Sequence, residues 1–527
     1  MKNSIRSMLV TASALLVAAA CTDPTVAPKS TVSSANIFAE ESSYKSFLAK
    51  IYGGLALSGQ QGPSGNSDIS GLDEGFSQYL RLWWQMEELP TDEAAVAWND
   101  GPIQELNTQI WAASNSFLGS MYYRIYFQVS MVNEFLRETT PEKLASRNTS
   151  AATTAAVKTY RAEARFLRAF SYWNAMDLFG PVPLVKETDV LGTEPPAQAT
   201  RAAVYDYVVS ELNAVRNDLP AAGTAQYGRV DQGAVAMLLA KVYLNAAVYS
   251  GSPHYDLALA EAQKVIAGPY TLDPNFQRIF AADNNLSPEM IFAIEQDGNN
   301  IQTWGGMTFI IHAEVGANMN AGAFGIDGGW WGIRTKPSLA ALYPNSGGPT
   351  SPDKRGRYLT TDGFSGSMTN LTDYTTGIGV TKYTNATSTG APGKNSTFVD
   401  TDYPVFRLAD AYLIYAECVV RGAGGTRAQA LAYINALRDR AYGNTSGRIA
   451  DAAMTSQFVL DERGRELFWE ATRRTDLIRY GLYSTAGVWQ WKGNTLAGRV
   501  TEAFRDLYPL PASELVANPK LKQNTGY

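Results

Sequence analysis

Apolar residues recur along this chain at helical spacing, one stripe after another. Tyr44, Leu48, Ile51 and Leu55 stand at i, i+4, i+7 and i+11, and Tyr122, Ile125, Val129, Val132 and Leu136 form a second stripe. Phe166, Phe170 and Trp173 make a third, closed by Gly180-Pro181. Val204, Val208, Leu212, Val215 and Leu219 make a fourth, which stops at Pro220. Val235, Leu238, Leu239, Val242, Ala246 and Tyr249, then Leu408, Tyr412, Tyr415 and Val419, add two more. A helix with one apolar stripe needs a neighbour to cover it, so the pattern predicts a mainly α fold of mutually packed helices. With 45% hydrophobic and 18% charged residues over 527 positions, the chain has enough material for such a core.

Two stretches read as helix pairs. AKVYLNAAVYSGSPHYDLALAEAQKVI is a helix, a Gly/Pro turn and a second helix whose Ala258, Ala260 and Ala262 permit close approach. DAYLIYAECVVRGAGGTRAQALAYINALRDRA repeats that design, with Ala430 opening the packed face. Both resemble tetratricopeptide pairs. They lie about 170 residues apart, which predicts an interrupted array. The interruption is residues 271–400. Eighteen of the 45 glycines fall between Gly298 and Gly393, and the helical period disappears. Long irregular segments inside domains are commonly functional, and the aromatics here supply apolar surface to anchor the loops. MIFAIEQD and MTFIIHAE read as short strands. The expected organisation is a helical region 36–270, an irregular ligand-binding insertion 271–400, and a helical region with tail at 401–527.

The N-terminus reads as a targeting segment. Lys2 and Arg6 precede a 13-residue apolar run that ends at Cys21, too short to span a bilayer as a helix. Residues 1–20 are therefore a signal peptide. Val17-Ala18-Ala19-Ala20-Cys21 resembles a lipobox, in which the cysteine thiol is acylated, for instance by palmitate; cleavage at an A-x-A position is the other reading. At roughly 0.8 kcal/mol per buried CH₂, two or more acyl chains anchor a protein stably to a membrane. Residues 21–35, rich in Pro, Thr and Ser, read as a flexible tether.

Composition excludes several functions. A net charge of −6 and a pI near 5.3 offer no basic surface for nucleic acid. Two cysteines, Cys21 and Cys418, and two histidines, His254 and His312, match no metal-ligand spacing, so no metal or cofactor is expected. Cys418 reads as a small buried hydrophobe. An enzyme would need carboxylates, and Glu462, Glu466 and Glu470 do stand at i, i+4 and i+8. They are interleaved with Arg463, Arg465, Arg473, Arg474 and Arg479, which would hold them ionised. The block reads as a structural ion-pair network, with no catalytic residue.

Six blocks carry a family likeness: LRAFSYWNAMDLFGPVPLV (167–185), GRVDQGAVAMLLAKVYLNAAVYSG (228–251), DYPVFRLADAYLIYAECVVRGAG (402–424), ALAYINALRDRA (430–441), DERGRELFWEATRRTDLIRYG (461–481) and LYPLPASELVANPKLKQNTGY (507–527). In that order they resemble the SusD/RagB family of nutrient-binding outer-membrane lipoproteins. The resemblance implies a tetratricopeptide-like, SusD-like scaffold of helix pairs with a variable ligand-binding face and a few short strands. It also implies a lipid-anchored protein on the cell surface, capping a SusC-like TonB-dependent outer-membrane transporter and handing it a nutrient, mostly a glycan and in some members a peptide. A lid or scaffold role with negligible ligand affinity is the alternative.

The tryptophans nominate the site. Trp173, Trp469 and Trp111 fit helical cores, and one of Trp83 and Trp84 should face inward. Trp98, beside Asn99 and Asp100, and the loop residues Trp304, Trp330 and Trp331 are the candidate stacking platforms for a sugar ring. Arg334, with Asp327, Asn318 and Asn320, is the expected polar rim. Adjacent residues in an extended segment point apart, so at most one of Trp330 and Trp331 should serve as the exposed platform.

Overall fold

The computed structural model describes residues 37–527 apart from 39, 191 and 193. The expected signal peptide, tether and lipidation site at Cys21 lie outside the described residues. The fold is mainly helical, with seventeen α-helices among the described residues and eight short strands in four two-stranded ladders. Tyr44–Tyr527 form one unit.

The long helices begin and end where local chemistry dictates. Ser116–Glu138 starts at Asn115, whose side chain accepts the N–H groups of Phe117 and Leu118. Ala151–Phe179 starts at Ser150, which accepts from Thr153, and stops at Gly180, where φ is +73°. These two helices pack on each other, and Ala151–Phe179 also packs on Arg201–Val215. Gln232–Leu244 then pairs with Tyr255–Ile266, and Leu408–Val420 with Arg427–Tyr442.

The structure corrects the expectation of an interrupted array. Tyr255–Ile266 packs directly on Leu408–Val420, so the two pairs separated in sequence are neighbours in space. A buried ion pair links them: Lys241 Nζ lies 2.7 Å from Asp410, which also takes Arg463 at 2.8 Å. The arrangement is possible because the intervening chain leaves and returns at one place. Met290–Ile294 pairs antiparallel with Tyr403–Arg407, clasping the two ends of the excursion beside the helices.

Two further expectations are corrected. MIFAI is a strand, but MTFIIHAE is a helix, Gly306–Glu314, with every residue buried. A short run that is apolar on all sides carries no period to separate strand from helix. Both Trp83 and Trp84 are buried, because their helix, Tyr79–Glu88, is covered all round. Trp83 packs against Phe170, Trp173 and Tyr403, while Trp84 meets Trp469 edge-on at 5.5 Å and donates its indole N–H to the Trp469 carbonyl. Trp111, Trp173, Trp469 and Cys418 are core residues, as expected.

The glutamates at 462, 466 and 470 are buried and paired, though mostly by arginines from elsewhere in the chain. Glu466 takes Arg355, Arg407 and Arg440; Glu470 takes Arg407 and Lys382; Glu462 takes Arg355, Arg438 and, of the arginines in its own block, Arg465. Burial alone would raise the Glu462 carboxyl, but Arg355, Arg465 and Arg438 pull it down to about 2. Burial likewise opposes, and Arg440, Arg407 and Arg355 outweigh it, at Glu466. Neither group can hold the proton a general acid needs.

Candidate functional site

The segment ahead of the Tyr79–Glu88 helix sets one wall of the site. Gln78 caps that helix by accepting the Arg81 N–H, and its amide donates to the Leu55 carbonyl. A Cβ on Gly75 would lie 2.8 Å from the Trp304 Cβ, so only glycine lets this loop approach Trp304 so closely. Glu74 completes the join by accepting the Ser58 hydroxyl at 2.9 Å and the Trp304 N–H at 3.1 Å. Trp304 is thereby held at the lip, 38% exposed.

The opposite wall is built on the end of the Gly306–Glu314 helix. The carbonyls of His312, Val315 and Ala313 accept the N–H groups of Trp330, Trp331 and Gly332 in turn. Trp331 adopts φ +54°, and the two indoles diverge. Trp330 stacks on the His312 ring, centroids 4.7 Å apart at 23°, while Trp331 packs on Tyr374 at 5.6 Å. Gly332 leaves room for Trp98, whose ring carbon Cζ2 would be 2.8 Å from a Cβ there. The Trp98 indole then donates to the Trp330 carbonyl at 3.1 Å.

Three of the four candidate tryptophans are thus brought together. Trp304 and Trp330 meet at 6.1 Å with their planes 49° apart, and Trp98 buttresses the Trp330 backbone. Trp331, 48% exposed, is the more open of the adjacent pair but, like Trp98, does not line the cavity that Trp304 and Trp330 share. Asn99 is exposed beside Trp98 and also lies off the cavity lining. Arg334 is not a rim residue. It is fully buried, and its guanidinium donates to the carbonyls of Thr376, Asn370 and Leu371, fixing a loop. Asn318 bonds Asp362, and Asn320 caps a short turn of helix.

The cavity, about 490 Å³, is lined by Trp304 and Trp330 together with Asp73, Glu74, Arg81 and the loop at 63–67. The three charged residues went unnoticed in the sequence. Their signal was there in LDEG followed by an arginine inside the apolar run LRLWWQM. The Arg81 guanidinium sits 4.1 Å over the Phe309 ring and 5.8 Å from that of Trp98. Burial pulls it down to about 10 against the opposing pull of Asp73, Glu74 and Asp100, none of which comes within ion-pair distance. Its Nε is buried and makes no hydrogen bond. Burial also lowers His312, so the ring under Trp330 favours the neutral form near pH 7. The result is an angled aromatic wall facing a cation and two carboxylates, a surface for a ring with one apolar face and a polar edge.

Comparisons with known proteins agree with this architecture. Residues 356–527 match the model described as "SusD family", and residues 81–244 match the one described as "Starch-binding associating with outer membrane". The chain is 32% identical to the starch-binding protein SusD of Bacteroides thetaiotaomicron, over 91% of each chain. The chain belongs to the SusD family. Members of the SusD family are non-catalytic binding proteins, and the paired glutamates described above accord with that. Solved SusD-like structures share the fold. A SusD superfamily protein of B. thetaiotaomicron superposes with a TM-score of 0.72 at 20% identity, covering 92% of this chain and 99% of the other. Surface glycan-binding protein A of the same organism, in complex with laminarihexaose, gives 0.70 at 21%, covering 91% and 98%.

Proposed function

We propose that this SusD-family chain is a surface lipoprotein that captures an oligosaccharide in the Trp304–Trp330 cavity and delivers it to a TonB-dependent outer-membrane transporter. The observation that carries the reading is Arg81. A buried guanidinium with no carboxylate within ion-pair distance, set behind two exposed-edge indoles, is costly to the fold unless something outside the chain uses it. A sugar supplies what it lacks, offering hydroxyls to Arg81, Asp73 and Glu74 and a C–H face to the indoles. Each covered aromatic face removes about 100 Å² of apolar surface, roughly 2.5 kcal/mol at ~25 cal/mol/Å². Two such faces, less the cost of association, give affinities of about millimolar to micromolar, suited to capture followed by release.

The names of the relatives, one starch-binding and one bound to laminarihexaose, support a glucan as ligand. Lipidation at Cys21 and docking on a SusC-like transporter follow from the family resemblance and the lipobox. In this reading residues 36–270 and 401–527 are the scaffold, 271–400 supply the two stacking tryptophans, and the stretch 63–81 supplies the rest of the cavity lining. Calorimetry with maltoheptaose and laminarihexaose tests it. Binding by the native chain, lost in Trp304→Ala/Trp330→Ala, supports the reading; binding that survives the double change overturns the site. Absence of binding to both, together with co-purification with the transporter, favours a lid without its own ligand.

A further inference from the structure

A second cavity, about 450 Å³, shares no lining residue with the tryptophan site. Its walls are aromatic. Phe276 and Tyr358 stand 6.0 Å apart, and Phe324 faces the same space. Every ionisable side chain lining it, Tyr358 aside, is a base: Lys354, Arg357, Lys382 and Arg440.

These four cations differ in what they already hold. Lys382 is buried against Glu470, and Arg440 is buried between Glu289 and Glu466, so both are neutralised from behind. Lys354 and Arg357 are exposed, and among the described residues neither has a carboxylate within ion-pair distance. Arg357 spends its Nε on the Ser351 carbonyl at 2.9 Å, which orients the guanidinium while leaving its outer N–H groups available. Lys354 is held with its ammonium beside Gly443, at the C-terminal end of the Arg427–Tyr442 helix. In a chain of net charge −6, two unpaired cations over a partly aromatic cavity are a local reversal of sign.

We infer that this cavity is a second ligand site, specific for a saccharide bearing an oxyanion, either a uronate carboxylate or a sulfate ester. Lys354 and Arg357 receive the charged group, the guanidinium through its planar fork of donors. The exposed face of Tyr358 or Phe324 receives the sugar ring. The tryptophan cavity carries two carboxylates, Asp73 and Glu74, beside its one cation and suits neutral sugar, whereas this one selects for charge.

The test uses the whole mature chain and two matched probe pairs: tri-galacturonate against its methyl ester, and a sulfated galactose disaccharide against its desulfated form. Titrations are followed by calorimetry at low and high salt. At least one charged probe should bind tenfold or more tightly than its neutral counterpart, with affinity falling as salt rises. Which pair shows the effect tells carboxylate from sulfate ester. Lys354→Gln/Arg357→Gln, both changes at exposed positions, should remove the preference, while Trp304→Ala/Trp330→Ala should leave it intact. That last variant separates failure here from failure of the tryptophan site. Equal affinity for charged and neutral probes, a preference unchanged in the Lys354/Arg357 variant, or inorganic sulfate binding as tightly as the sugars would each overturn the inference.

Discussion

The indole N–H of Trp98 donates to the carbonyl oxygen of Trp330 at 3.1 Å, joining a loop in the first fifth of the chain to one in the last half. That bond, with Gly332 packed under the Trp98 ring, makes Trp98 a support for the Trp330 backbone. Trp98→Phe keeps a ring and removes the donor. It should weaken oligosaccharide binding several-fold and lower stability by about 1 kcal/mol, the usual worth of such a bond. Trp330→Ala should weaken binding tenfold or more, and Trp331→Ala less than twofold. Calorimetry on the three variants checks the order.

Arg81 predicts a conflict between stability and function. Arg81→Met keeps an apolar chain of similar reach, gives up the guanidinium contact with Phe309 and abolishes the unpaired buried charge. Its melting temperature should match or exceed that of the native chain, while ligand affinity falls at least tenfold. A variant that unfolds early would show that the guanidinium serves the fold instead.

The Lys241–Asp410 pair holds together helix pairs that the sequence keeps far apart. Asp410→Asn leaves Lys241 without an anion in a buried place and Arg463 with Asp476 alone, and should cost about 3 kcal/mol in guanidinium chloride unfolding. Lys241→Met/Asp410→Leu, which removes the pair, should cost less than Asp410→Asn despite the extra change.

Acid should unfold the chain through its buried carboxylates. Glu462 is held at about 2 in the fold, against 4.5 for the unperturbed group. The unfolded chain therefore binds the proton first. The stability this group contributes is complete above about pH 4.5 and disappears as pH falls toward about 2. Melting temperature followed from pH 7 to pH 3 should drop most steeply below 4.5. Glu462→Gln should be less stable at pH 7 and show a shallower drop in that window.

The helices were legible because their stripes are periodic, and the core roles of Trp173, Trp469 and Cys418 followed from those stripes. Gly306–Glu314 was misread because a helix covered on every side shows no stripe. The continuity of the helix stack was invisible because it depends on where the excursion closes, and four residue pairs between two short strands carry little signal. At the candidate site, aromatic type and loop context point to Trp98, Trp304 and Trp330, which the fold brings together. The same cues misplaced Arg334, since an arginine serving three carbonyls reads like one awaiting a ligand. Arg81 was hidden within the helix that also carries Trp83 and Trp84.

The clasp between Met290–Ile294 and Tyr403–Arg407 has a bearing on how such a chain can change. Because the excursion's ends already touch, its closure entropy grows only with the logarithm of its length, about 0.6 kcal/mol for each doubling. Segments of quite different size can be grafted between the same two strands, provided each again brings the cations that Glu462, Glu466 and Glu470 take here from Arg355 and Lys382. Ligand preference can then change through one contiguous stretch, so long as the incoming chain still fits the wall at Gly75 and Arg81 and still serves the buried carboxylates of the scaffold.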